Sequence, residues 1–279
     1  MLNAFRIVVL AGIAFVNWVI LALFLSMFGA SDALAGWGAL LAEAALVGLA
    51  FTPLGEKYFR FVNRLRRPLP DEERALRPAF ERAVVRCGLI ERPELFVAHD
   101  PFPNALATGV KTVAVTQGLL QQARPEELEA ILAHELGHLK NGDTKVLLAA
   151  YVMNAAGSFA TWVMTVVMVA LSIFSFLTGG ATGDRQFIGL GWFIVMISWM
   201  LRGVTWLLQK ILELSFLAVG RAQEYEADAF AARCGYRDGL VSFLSRVVGP
   251  EGPRSLAAVL YATHPSPEAR IEKLMARSW

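Results

Sequence analysis

His134-Glu135-Leu136-Gly137-His138 is the stretch whose residue types can do chemistry most directly. On a helix, positions four apart lie on one face about one turn apart, so both imidazoles reach a single ion. Neutral imidazole nitrogens bind zinc at about 2.0–2.1 Å. Glu135 stands beside them, placed to take a proton from a water on the open position of that ion, whose acidity the metal raises. The pattern points to metal-dependent peptide hydrolysis. A chance match on an amphipathic helix is the competing reading. However, the chain has only four histidines, His99, His134, His138 and His264, and two of them hold this spacing. A longer motif with its third histidine close by is excluded. It needs Gly at 141 and His at 144, where the chain has Asn141 and Thr144.

The third protein ligand must therefore come from elsewhere. The best candidate lies in Arg221-Ala-Gln-Glu224-Tyr-Glu226-Ala-Asp228. Glu224 and Asp228 again sit four apart on one helical face. Glu224 can bind the metal while Asp228 accepts from an imidazole N–H and so fixes the ring. Glu226 is the fallback ligand, pointing about 200° away from Glu224 on an ideal helix, so one of the two faces the ion. A solvated helix face is the plainer alternative for these acids. Asp143 reads as a helix-end acid that can also steady an imidazole, and His99 as a turn histidine.

These residues need elements to position them. Arg124-Pro125-Glu126-Glu127 opens a helix, with proline near its first position and acids in its first turn, and that helix runs past His138. Upstream, Asp71–Gly88 has helical spacing, while Glu94–Ala98 and Thr112–Thr116 read as short strands separated by the turn material Pro101-Phe-Pro-Asn104. Leu214–Cys234 forms the helix that carries Glu224, followed by a small helical C-terminal part.

Between and before these soluble pieces the chain is apolar. Ile7–Phe28 runs without a charge, long enough to cross roughly 30 Å of hydrocarbon and too long for a cleaved signal. Ala33–Thr52 follows with one acid, Glu43. Two further membrane helices are expected at roughly 147–177 and 187–209, the second carrying Arg202. The organisation expected is a membrane hairpin at 1–53, a soluble part at 54–143, a second hairpin at 144–211 and a soluble part at 212–279. Lys57, Arg60, Arg64, Arg66 and Arg67 follow the first hairpin against the single acid Glu56. By the positive-inside rule they place that end, the N-terminus and both soluble parts in the cytoplasm. If the metal helix ran straight on, His138 would lie about 12 Å from Val146, at the membrane surface.

Composition agrees: 56% of residues are apolar and 18% charged, against roughly 25% charged in an ordinary soluble domain. A net charge of +2 implies no nucleic-acid partner. The two cysteines, Cys87 and Cys234, form no CxxC and read as small buried hydrophobes in a reducing compartment.

HExxH followed, beyond a membrane hairpin, by ExxxD resembles the HtpX group of integral membrane proteases, which are similar to the CAAX prenyl proteases. The resemblance covers nearly the whole chain: Asn104-Ala-Leu-Ala-Thr-Gly109, Thr116-Gln-Gly-Leu-Leu120, HELGHLKNGD at 134–143, RAQEYEAD at 221–228, and Thr263-His264-Pro265 with Arg270-Ile271. The serine usual before the arginine is Gly220 here. The resemblance implies a mainly α membrane protein: four transmembrane helices plus an α+β gluzincin-type zinc protease domain with a small β-sheet. It implies one zinc per chain on His134, His138 and Glu224, with Glu135 as catalytic base. It places His264 and Arg270 near the site, stabilising an oxyanion or holding substrate. It also implies that Asn104 and the edge containing Val113 and Val115 pair with the substrate backbone as an added strand.

The expected function is a zinc endopeptidase of a bacterial inner membrane. Its partners would be the lipid bilayer and membrane-protein or unfolded polypeptide substrates, cut at the cytoplasmic side in quality control under stress. A CAAX-type processing protease shares the chemistry, but four membrane segments are few for a large enclosed chamber. A non-catalytic metal-binding scaffold would not need Glu135 between its ligands.

Overall fold

The computed structural model describes residues 2–247 and 265–276. The apolar runs become helices because no other element satisfies every backbone group without water. Four helices are long and apolar enough to cross a membrane: α1 (Leu2–Met27), α2 (Asp32–Ala50), α7 (Asp143–Thr182) and the first part of α8 (Arg185–Arg233). The chain divides into two compact units. The first comprises 3–48 and 149–216. Within it, polar groups tie helices together where no water can serve them. Asn17 Nδ2 donates to Asn154 Oδ1 at 3.0 Å, and Trp18 Nε1 donates to the Gly36 carbonyl at 2.8 Å. Trp37, Trp162, Trp192 and Trp199 face outward from this unit, as lipid-facing aromatics do.

The second unit joins 49–148 to 217–279. Its sheet contains β1 (Leu65–Arg66), β2 (Glu94–Ala98), β3 (Ala105–Thr108) and β4 (Thr112–Thr116) in the order β1-β2-β4-β3. β2 and β4 are parallel, with Glu94 opposite Thr112, and the outer pairings are antiparallel. Around it pack α3 (Pro53–Val62), α4 (Pro70–Arg86), α5 (Gln117–Gln122), α6 (Pro125–Asn141), the end of α8, α9 (Arg237–Val247) and α10 (Pro267–Met275). Leu76 and Phe80 of α4, Leu95 and Val97 of β2, Leu132 and Leu136 of α6, Phe230 of α8 and Leu240 of α9 share one core. Glu127, which has no exposed surface, pins α9 to the start of α6. It accepts from the Arg124 backbone N–H at 2.9 Å, from Ser242 at 2.8 Å and from Arg246 at 2.5 Å.

Three expectations are corrected here. First, β4 is not an edge. It pairs with β2 on one side and β3 on the other, and Val113 and Val115 are completely buried. Neither residue can meet a substrate, because both sides of their backbone are paired and their side chains fill the core. The free edge is β3. Second, the metal helix does not continue straight into the third apolar run. It stops at Asn141, where Gly142 takes the left-handed conformation (φ 74°) that glycine adopts without strain. Third, Cys87 and Cys234 are not separate buried thiols. They are disulfide-bonded, with Cα atoms 5.1 Å apart across 147 residues of sequence, and so staple the end of α4 to the end of α8.

Glu94 sits at a charged seam beside β2. Lys111 bonds it at 3.1 Å, Arg60 at 3.2 Å and Arg67 at 2.6 Å. Burial pushes its carboxyl up, but these three cations outweigh burial and hold it down at about 2, against 4.5 ordinarily. A depressed acid stabilises the fold above its unfolded value and loses that contribution as pH falls through the folded one. Because the seam is partly solvated, the contribution is roughly 1–2 kcal/mol. Glu94→Gln should therefore lower the unfolding midpoint of the detergent-solubilised protein at neutral pH. The difference from wild type should shrink as pH is lowered from 4.5 towards 2. Thermal melts across that range read it directly.

Candidate metal centre

His134 and His138 project from one face of α6, which the acids Glu126 and Glu127 help to start and Gly142 stops. Glu224 and Asp228 come from the last part of α8. The two helices can approach because Gly137 lies between the histidines. A Cβ there would stand 3.1 Å from the Ala227 Cα and 3.1 Å from the Phe230 ring.

One ligating atom from each of His134, His138 and Glu224 lies within 4.8 Å of the others. The closest separations are 3.2 Å between the two Nε2 atoms, 3.4 Å from His134 Nε2 to Glu224 Oε2 and 3.3 Å from His138 Nε2 to Glu224 Oε1. Ligands about 2.05 Å from a tetrahedral zinc stand about 3.3 Å apart, so the spacing fits such an ion. The outward nitrogens are held from behind. His134 Nδ1 is 2.9 Å from Asp228 Oδ1, and His138 Nδ1 is 2.9 Å from Asp143 Oδ2. That arrangement selects the tautomer that points Nε2 at the centre.

Charge supports the same fit. Glu135, Asp143, Glu224 and Asp228 are all buried, and Arg270 is a cation bonded to two of them. Like charges at such density need a counter-charge. Burial lowers the basicity of both histidines, and for His134 the Arg270 charge adds to that effect. The carboxylates win nonetheless: Asp228 and Glu224 raise His134, while Asp143 and Glu224 raise His138 to about 10. Burial likewise opposes charge on Asp228, yet His134 and Arg270 hold its carboxyl below the usual range. A dication held by His134, His138 and Glu224 would offset the same acids.

Arg270 lies at the site, where the resemblance places it. Its fork embraces Asp228, with Nε to Oδ2 at 2.8 Å and Nη2 to Oδ1 at 2.5 Å, while Nη1 lies 3.2 Å from Glu224 Oε2. Those donors reach Glu224, a candidate ligand, and Asp228, the acid that holds the His134 ring. His264, the other residue expected near the site, lies outside the described residues. Asn104 precedes β3 and caps the sheet: its backbone N–H donates to Thr116 Oγ1 at 2.9 Å, and its side-chain oxygen accepts from Ala105 at 2.9 Å. His99 bonds Gln117 on the surface, away from the metal cluster. Gly137, between the histidines, is a signal in the sequence for this close helix contact.

Comparison with known proteins follows the same lines. The model of peptidase family M48 matches residues 70–278. A Neisseria meningitidis protein named Protease HtpX homolog is 30% identical over 262 residues, covering 86% of this chain and 88% of the relative. An Alcanivorax borkumensis protein named Protease HtpX is 29% identical over 255 residues, covering 84% and 81%. A Methanosarcina mazei protein named Protease HtpX homolog 2 is 31% identical over 212 residues, 66% of each chain.

Two substitutions test how the centre is held. Asp143→Asn keeps the shape of the contact but removes its charge, and should weaken zinc binding about 10–100-fold with the fold intact. Gly137→Val drives methyl groups into α8 and should weaken binding more strongly. Zinc titration against a chromophoric chelator measures both, and unchanged affinity in both variants would contradict the geometry.

Proposed function

This chain belongs to peptidase family M48 and is a metalloprotease; we propose that it is a membrane-embedded, zinc-dependent endopeptidase that removes misfolded or damaged membrane proteins from the cytoplasmic side. The observation that carries the zinc assignment is the convergence of His134, His138 and Glu224 on one point, with a buried carboxylate between the histidines in sequence. When bound there, the ion supplies polarisation of the scissile carbonyl and acidification of water.

The chain's own residues do the rest. His134, His138 and Glu224 hold the ion. Asp228 and Asp143 orient the two rings, and Arg270 fixes Asp228 and Glu224 in turn. Glu135 accepts the proton of the attacking water on its carboxylate and hands it to the leaving amine. The β3 edge, with Asn104 at its start and no further strand beside it among the described residues, offers backbone for an extended substrate.

The cytoplasmic orientation rests on the five basic residues between Lys57 and Arg67. The disulfide pulls the other way, since such bonds persist mainly in oxidising compartments. Sidedness is therefore worth measuring by itself. A cysteine introduced at the fully exposed Ile90 should resist an impermeant maleimide in intact spheroplasts and react after permeabilisation. Reaction in intact spheroplasts would overturn the orientation.

The catalytic reading is tested by Glu135→Gln. Cleavage of an unfolded protein in detergent should fall by about 10²-fold or more, while bound zinc stays at the wild-type level. Full activity in that variant would remove Glu135 from the mechanism.

A further inference from the structure

α3 is built inside out for a helix in water. On an ideal helix Leu54, Tyr58, Phe61 and Val62 form a stripe about 100° wide. All four are exposed, Phe61 by 81%. The opposite face is polar and buried. Glu56 accepts from the backbone N–H groups of Val110 and Lys111, and from Thr112 Oγ1 at 2.6 Å. Arg60 donates to Thr112 at 2.9 Å and to Glu94 at 3.2 Å. Gly109 leaves room for this: a Cβ there would meet the Glu56 carboxylate. The charged face is thus committed to the β3–β4 turn, and the apolar face is what remains outside.

We propose that this apolar face lies in the headgroup region of the lipid bilayer, making α3 an interfacial foot for the catalytic unit. Three further observations specify lipid as the occupant. The helix begins three residues after the apolar helix α2 ends at Ala50. The turn that opens α3 is tight, since Gly55 packs so closely on the Ala50 backbone that a Cβ would collide with it, and Thr52 donates to the Leu49 carbonyl at 2.6 Å while capping α3. Finally, exposed Lys57 flanks one side of the stripe and exposed Arg64 follows the helix end, where anionic headgroups would meet them, and Tyr58 and Phe61 are of the type that favours the interface. The proposal rests on α2 being a membrane span and is independent of the protease chemistry.

The test uses the full chain in nanodiscs of phosphatidylethanolamine and phosphatidylglycerol. The native cysteines stay in their disulfide, so a single introduced thiol carries a nitroxide at Phe61→Cys, Leu41→Cys or Ile90→Cys. Each variant is checked first for an unchanged unfolding midpoint. Collision with oxygen should exceed collision with a water-soluble nickel chelate at 61 and at 41, and the order should reverse at 90. Lipid-type behaviour at 41 with water-type behaviour at 61 would overturn the foot alone. A label at 61 shielded from both relaxers would overturn it too, by showing that protein covers the face. Water-type behaviour at both 61 and 41 would overturn the span and the foot together.

Discussion

The structure turns on a concentration of buried negative charge. Glu135, Asp143, Glu224 and Asp228 lie close together out of water, and Arg270 bonds two of them. Isolated charges in such a place cost several kcal/mol each unless they are paired. A dication shared by the two imidazoles and Glu224 would offset that charge. Every other feature of the catalytic unit can be read as holding these groups together against their repulsion.

That holding is unusual because the ligands come from two stretches of chain with a membrane hairpin between them. Local sequence cannot keep them in register, so the fold does it with specific devices. Gly137 removes the side chain that would keep α8 off α6. Glu127 fastens α9 to the beginning of α6. The Cys87–Cys234 bond ties α4 to the end of α8. Arg270, arriving on α10, closes the arrangement by bonding both acids of α8 that face the histidines. The ion itself, when bound, is a further crosslink of the same kind.

Much of this was legible in the sequence because it depends on local periodicity or fixed spacing. The apolar runs gave the four long helices, and β-branched alternation gave β2 and β4. The four-residue spacing put His134 and His138 on one face, and the resemblance supplied Glu224 as the third ligand. What was not legible depends on partners distant in sequence. Thr112–Thr116 has the same composition whether it is an edge or an inner strand, so the burial of Val113 and Val115 follows only from where β3 returns. Two cysteines 147 residues apart carry no signal of pairing. A polar residue pattern does not say which side of α3 is wet, and there the charged side is the buried one.

The central claim is that two segments separated by a membrane hairpin complete one zinc site. It is tested most directly by the metal content of purified protein, wild type beside Glu224→Ala. The account predicts about one zinc per chain in the wild type and its loss in the variant, although HExxH is intact in both. Equal zinc in the two proteins would contradict it, because α6 would then hold the ion without α8.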